Sequence, residues 1–195
     1  MPNPTATARP RLGRAERKTA IIDAAATAFA VSGFMGTSMA DITTVAGVSH
    51  LIVYRHFDSK ETLYAAVLDR ALGFLEVALI APNAIGPYGP TPRTLLASAR
   101  ADPHAFKVLW HHAMREPDFA AHTEQAQRLL GRATRGALTP RVPAPSRTWA
   151  TRATLTYVVQ AVLVWIEDGD PAYDNRFVRA TTAAMRAGVR SWVEP

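Results

Sequence analysis

Between positions 49 and 60 the chain places Ser49, His50, Tyr54, Arg55, His56 and Lys60, with Leu51 and Ile52 among them. This run is rich in hydrogen-bond donors and cations. No nucleophile–base pairing is assembled in it. The chemistry open to such a set is donation to phosphate oxygens and base edges, with aliphatic contact from Leu51 and Ile52. A second group is His104, His111, His112 and His122. A metal site needs ligands on one face, as at i and i+4 of a helix. His111 and His112 are adjacent and point about 100° apart, and no acidic or cysteine ligand completes a set. A glycine-rich phosphate loop and a GxSxG elbow are both missing. No catalytic residue, cofactor or metal site is expected, and the chain is not expected to be an enzyme.

The first group needs a scaffold, and residues 38–57 supply one. Ser38 is suited to an N-cap, with its hydroxyl accepting from the Asp41 backbone and the Asp41 carboxylate reaching back. Ile42 and Val45 give a short helix its apolar contacts. Gly47 follows where a two-helix corner needs positive φ. Val48 fills the corner and Ser49 is placed as a second N-cap. The next helix is predicted from His50 to about His56. So short a helix cannot stand alone in water, and Val53 and Phe57 are there to hold it. A short supported helix with a polar start suits a major groove.

These residues resemble a known family. Ser38, Asp41, Ile42, Ala46, Gly47, Val48, Ser49, Tyr54, His56, Phe57, Ser59, Lys60, Glu61 and Leu63 are similar to the DNA-binding module of the tetracycline-repressor (TetR) family. Ile22, Ala25, Phe29, Gly33, Phe34 and Thr37 extend the resemblance upstream, over roughly the first third of the chain. Leu51 and Ile52 depart from it, standing where the family usually has a glycine and a small hydroxyl residue. The resemblance implies DNA contacts from Ser38, Ser49, His50, Leu51, Ile52, Tyr54, Arg55, His56 and Lys60. Among these, Tyr54, His56 and Lys60 are expected on phosphates, and His50, Leu51 and Ile52 toward the bases.

Composition agrees with that expectation. The chain has 195 residues, a net charge of +6 and a pI of about 10.2, which favours a polyanionic partner. Cysteine is absent, so no disulfide framework exists. No apolar run reaches the ~20 residues of a membrane span. No secretory signal is seen, and a cytoplasmic location without membrane association is expected. Residues 1–13 are expected to form a disordered basic arm carrying Arg9 and Arg11. Residues 14–58 should be the helix-turn-helix domain, and 59–195 a ligand-binding and dimerisation domain. The fold class is thus all-α: an N-terminal three-helix helix-turn-helix domain plus a C-terminal helical domain.

Helical periodicity divides the rest. A first helix spans about 14–32 and ends at Gly33. Asp58-Ser59-Lys60-Glu61 has capping-box form and opens a long helix to about Ile80. Residues 82–92, rich in proline, read as a loop. Later helices are predicted at about 92–100, 103–115, 118–138, 146–167 and 173–193. The penultimate helix is apolar on nearly every side and must be covered all round. The last has a small-residue face. A dimer interface is therefore expected through Val158, Val162, Ala180, Ala184, Ala187 and Gly188, and the family resemblance also implies dimerisation through the last two helices. The family resemblance also implies a ligand cavity here; Phe106, Trp110, His111, Met114, Tyr157, Gln160 and Trp165 are the expected lining, and their apolar bulk suits a flat or greasy ligand.

The expected function is a ligand-responsive transcriptional regulator, chiefly a repressor. It would bind double-stranded DNA at a palindromic operator as a homodimer and be released by a small apolar or aromatic inducer. The alternatives are a helical ligand-binding or adaptor protein whose helix-turn-helix is only structural, and a small helical enzyme using His111 or His112.

Overall fold

The computed structural model describes residues 13–192. The expected basic arm, apart from Gly13, lies outside the described residues, as does Val193. The fold is all-α, as expected. Helix α1 (Arg14–Ser32) is followed by α2 (Met39–Ala46) and α3 (His50–Tyr54). Then come α4 (Lys60–Ile80), α5 (Pro92–Ala101), α6 (Pro103–Lys107), α7 (Ala120–Leu138), α8 (Arg147–Asp168) and α9 (Asp174–Ser191). Among the described residues no helix is long and apolar enough to cross a membrane.

The helix-turn-helix forms from local signals. Ser38 Oγ accepts from the Asp41 backbone at 3.2 Å, and Asp41 Oδ2 accepts from the Ser38 backbone at 2.8 Å. The Ser38 hydrogen bonds also hold the exposed Asp41 carboxyl below its ordinary pKa. Gly47 turns the corner at φ 63°, ψ 31°, a left-handed conformation that a Cβ disfavours. Helix α3 has five residues and stops at Tyr54, two short of the predicted end. Val53 and Phe57, both buried, pin it to the core. The cap of α4 falls one residue later than predicted. The reciprocal bonds of the box join Ser59 and Thr62: Ser59 Oγ accepts from the Thr62 backbone at 3.2 Å, and Thr62 Oγ1 accepts from the Ser59 backbone at 3.1 Å.

The core runs without a break across position 58. Phe29 of α1 meets Tyr64 of α4 edge-on, with ring centroids 4.8 Å apart. Tyr64 and Phe34 both reach Phe119, at 4.6 and 5.1 Å. The helix-turn-helix unit is therefore built onto the C-terminal helices through shared aromatic packing. Arg70 of α4 adds ion pairs to Asp23 of α1 and to Asp102, the N-cap of α6.

Two differences from the sequence reading matter. The 82–92 loop contains a two-stranded ladder, β1 (Ile85–Gly86) with β2 (Gly89–Pro90), whose second strand packs on α7. The helix predicted over 103–115 is not uniform. It widens into a π-helical turn over Val108–His112 and tightens to a 3-10 turn over Ala113–Arg115. The wide turn buries Val108, Leu109 and Trp110 consecutively. Within one chain helix α8 is left partly uncovered, with Tyr157 and Val164 41% and 56% exposed, on the side where a second copy is expected to pack. Its corner with α9 is locked by Trp165, whose Nε1 donates to Asp174 at 2.6 Å and whose ring stacks on Phe177.

Candidate nucleic-acid interface and ligand pocket

The outward face of α3 presents Ser49, His50, Leu51, Tyr54 and Arg55, all exposed. Ser49 occupies the N-cap position with extended backbone, yet its side chain makes no capping bond. Its hydroxyl therefore remains available at the start of the helix. The His50 and Tyr54 rings lie stacked, with centroids 6.1 Å apart. Leu51 is 62% exposed, a large aliphatic group held in water by a rigid scaffold. His56 is half-buried at the end of this face.

Other residues expected here are turned to internal work. Ile52 packs against the hydrophobic core, because α3 must bury one side to persist. The Ser38 hydroxyl both accepts from the Asp41 backbone and donates to Asp41 Oδ2 at 2.7 Å. Lys60 Nζ donates to the carbonyl oxygens of Phe34 and Thr37, at 2.9 and 3.0 Å. It also lies 4.2 Å from the Phe34 ring centroid. Lys60 thus ties the α1–α2 loop to the start of α4, and the role on phosphate expected for it is not carried forward.

A pocket of about 460 Å³ opens between the π-helical turn, α7 and α8. Trp110, Leu130, Leu155 and Val159 give it apolar walls, Gly131 and Thr151 small ones, and Met114, Gln127, Arg152 and Gln160 polar or flexible edges. The Trp110 indole N–H is buried and has no acceptor among the described residues.

Residues 21–67 match the sequence profile described as bacterial regulatory proteins, tetR family. The match runs from α1 through the helix-turn-helix into α4. Over 64 residues the chain is 41% identical to the HTH-type transcriptional repressor KstR2 of Rhodococcus jostii, covering 33% of this chain and 30% of the relative. Over 60 residues it is 43% identical to the HTH-type transcriptional activator FasR of Mycolicibacterium smegmatis, covering 31% of this chain and 27% of the relative. These matches span less than a third of the relatives' length. Along most of the chain the backbone follows a solved TetR-like transcriptional regulator from Rhodococcus sp. RHA1. That likeness covers 92% of this chain and 99% of the other at a TM-score of 0.71, with 19% identity. Residues 21–67 thus carry the TetR-family DNA-binding region, and the chain shares its fold with TetR-like regulators. The backbone also follows a second solved structure, the transcriptional regulator FadR from Bacillus subtilis in complex with stearoyl-CoA. Its TM-score is 0.54 at 16% identity, over 84% of this chain and 96% of that one.

The pocket gathers only part of the expected lining. Trp110, Met114 and Gln160 are on it. Phe106 is instead buried in the main core. His111 points outward, edge-on to the His112 ring at 4.9 Å. Trp165 is committed to the α8–α9 corner. Tyr157 lines a separate groove of about 150 Å³ between α8 and α9, beside Ala184 and Gly188. The expected dimer contacts divide in the same way. Val158 and Val162 are fully buried within their own chain, so they cannot meet a partner. Ala180, Ala184 and Ala187 are exposed on α9, and Gly188 is half-buried. The sequence reading passed over Leu130, Gly131, Leu155 and Val159. The available signal was Gly131 in the middle of an otherwise good helix-forming segment.

Proposed function

We propose that this protein is a DNA-binding transcriptional regulator of the TetR family, acting as a homodimer on a palindromic operator. Two copies of α3 would enter successive major grooves. The observation that carries the reading is the outward face of α3, where Ser49, His50, Leu51, Tyr54 and Arg55 project from a helix capped and packed from behind. Dimerisation would use α9 and the exposed side of α8, with Tyr157 and Val164 meeting the alanine face of a second copy. Repression is the direction favoured by the name of KstR2, while FasR is named an activator.

The pocket beside Trp110 is proposed as the effector site. A ligand there can release DNA only by binding the two conformations of the protein unequally. The π-helical turn offers the route, since it carries Trp110 on the pocket and His112 against α1. The FadR complex supports the reading in that a protein of this fold was solved with a small molecule bound. The test is selection of bound fragments from the host genome, followed by gel shift across salt concentrations. Enrichment of a two-fold symmetric site with a steep salt dependence is expected. Recovery of no common site would sink the reading.

A further inference from the structure

Helix α7 carries Arg128, Arg132 and Arg135 at spacings of four and three, which sets them on one face. Helix α8 brings Arg152 to the same place. Together with Gly131 and Thr151 these arginines line a groove of about 540 Å³. That groove shares Gly131, Thr151 and Arg152 with the apolar pocket beside Trp110. The two are therefore neighbouring chambers, one greasy and one strongly cationic.

The cationic chamber is short of counter-charge. Glu124 pairs with Arg128 at 3.1 Å. Arg132 Nε donates to the Arg128 carbonyl. Arg135 and Arg152 have no ion-pair partner among the described residues. Clustered like charges repel and lower stability unless an anion joins them. The planar guanidinium fork matches a phosphate in two-point fashion. In the apolar chamber the buried Trp110 N–H lacks an acceptor, where such donors are normally satisfied. Gly131 stands on the wall common to both chambers, and a Cβ there would meet nothing within 4 Å. A mid-helix glycine costs ~1 kcal/mol relative to alanine, and no packing contact demands this one. The space it leaves open borders both chambers.

We infer that the ligand of this pocket is an anionic amphiphile. Its apolar chain or ring lies along Trp110, Leu155 and Val159, and its phosphate-bearing head is held by Arg132, Arg135 and Arg152. The inference rests on the effector-site reading above and sharpens it, since an uncharged greasy molecule leaves the arginine chamber unused.

A head-group series on one chain tests it: decyl phosphate, decanoate and decanol, with inorganic phosphate as the head alone. Each is titrated into the full-length protein below its micelle concentration, with tryptophan fluorescence and calorimetry as readouts. Decyl phosphate should bind at least about tenfold more tightly than decanol, and added salt should narrow the gap. In the double variant Arg132→Ala/Arg135→Ala, which leaves the apolar pocket's own lining intact, the gap should shrink to within about threefold while decanol affinity holds. Gly131→Phe should block all three alkyl probes while the folded protein keeps its melting temperature. Equal binding of decyl phosphate and decanol overturns the inference. So does an undiminished phosphate preference in the double variant, or binding by none of the alkyl probes. DNA release is scored separately. Phosphate-selective binding that leaves the DNA complex intact supports the head-group inference and sinks the effector-site reading. Release by all alkyl probes alike does the reverse.

Discussion

His112 Nε2 lies 3.1 Å from the carbonyl oxygen of Ala30. His112 is two residues beyond Trp110 on the same π-helical turn, and Ala30 sits in the last turn of α1. The carbonyl accepts, so Nε2 carries the donated proton. On the other side of the ring, Nδ1 is 3.0 Å from where a Cβ at Gly33 would stand. Gly33 has φ 70°, so a side chain there meets both strain and the imidazole. Farther up the same helix, Thr27 Oγ1 lies 3.2 Å from His104 Nδ1, and Asp23 reaches Asp102 through Arg70. The helix-turn-helix unit thus rests one face of α1 on the segment that walls the pocket.

Burial holds the His112 pKa below its ordinary value of 6.5. The folded protein therefore keeps this imidazole neutral where the unfolded chain begins to take a proton. The stabilisation is complete above that ordinary value and is lost as pH falls through the folded pKa. Lowering the pH from about 7.5 to about 5 should depress the melting temperature more in the parent than in His112→Gln, which donates to Ala30 without titrating. Identical pH slopes in the two proteins would remove His112 from the account.

Lys60→Ala should destabilise the fold by about 1–3 kcal/mol, because two carbonyl oxygens lose a charged donor. The salt slope of DNA binding should stay near that of the parent. Arg55→Ala should show the opposite pattern, with stability kept and the slope reduced by about one. Urea unfolding and salt titrations of both variants read this directly. A slope lowered by Lys60→Ala with stability unchanged would return Lys60 to the phosphate backbone.

Leu51 can offer a base only apolar contact, and the thymine methyl is the natural partner. Replacing the contacted thymine by uracil should cost about 0.8 kcal/mol, the value of one buried methyl. The same replacement should cost Leu51→Ala much less. Equal losses in both proteins would assign the methyl to another side chain.

Ala184 is exposed on α9 and lines the groove with Tyr157. Ala184→Glu should give a folded monomer in sedimentation, since the new charge is buried only in a dimer. Val158→Ala should instead lower the melting temperature by core loss and leave the dimer intact. A normal dimer from Ala184→Glu would move the interface off this face.

Short-range chemistry is legible in the amino-acid order itself. Ser38 with Asp41, Gly47 in its left-handed turn and Asp102 before Pro103 each act over a few residues, so that order alone determines those caps and corners. The helical stripes are equally plain, because a period of 3.6 shows in the chain itself. The helix-turn-helix and the all-α class follow from them.

What the chain order leaves open is which side of an apolar helix meets which neighbour. Val158 and Tyr157 are adjacent, and both belong to a largely apolar run, yet one is fully buried and the other is 41% exposed. Only the approach of the other helices decides between them. Lys60 has the position of a phosphate contact, but the carbonyls of Phe34 and Thr37 come within reach only when α1 folds back onto α4. Arg128, Arg132 and Arg135 can be placed on one face from spacing alone. Their joining with Arg152, and the bordering of that cluster on the Trp110 pocket at Gly131, are long-range contacts that the packing of α7 on α8 creates. Local signals specify elements because their partners are close along the chain. Sites made by side chains far apart along the chain exist only once the elements have packed.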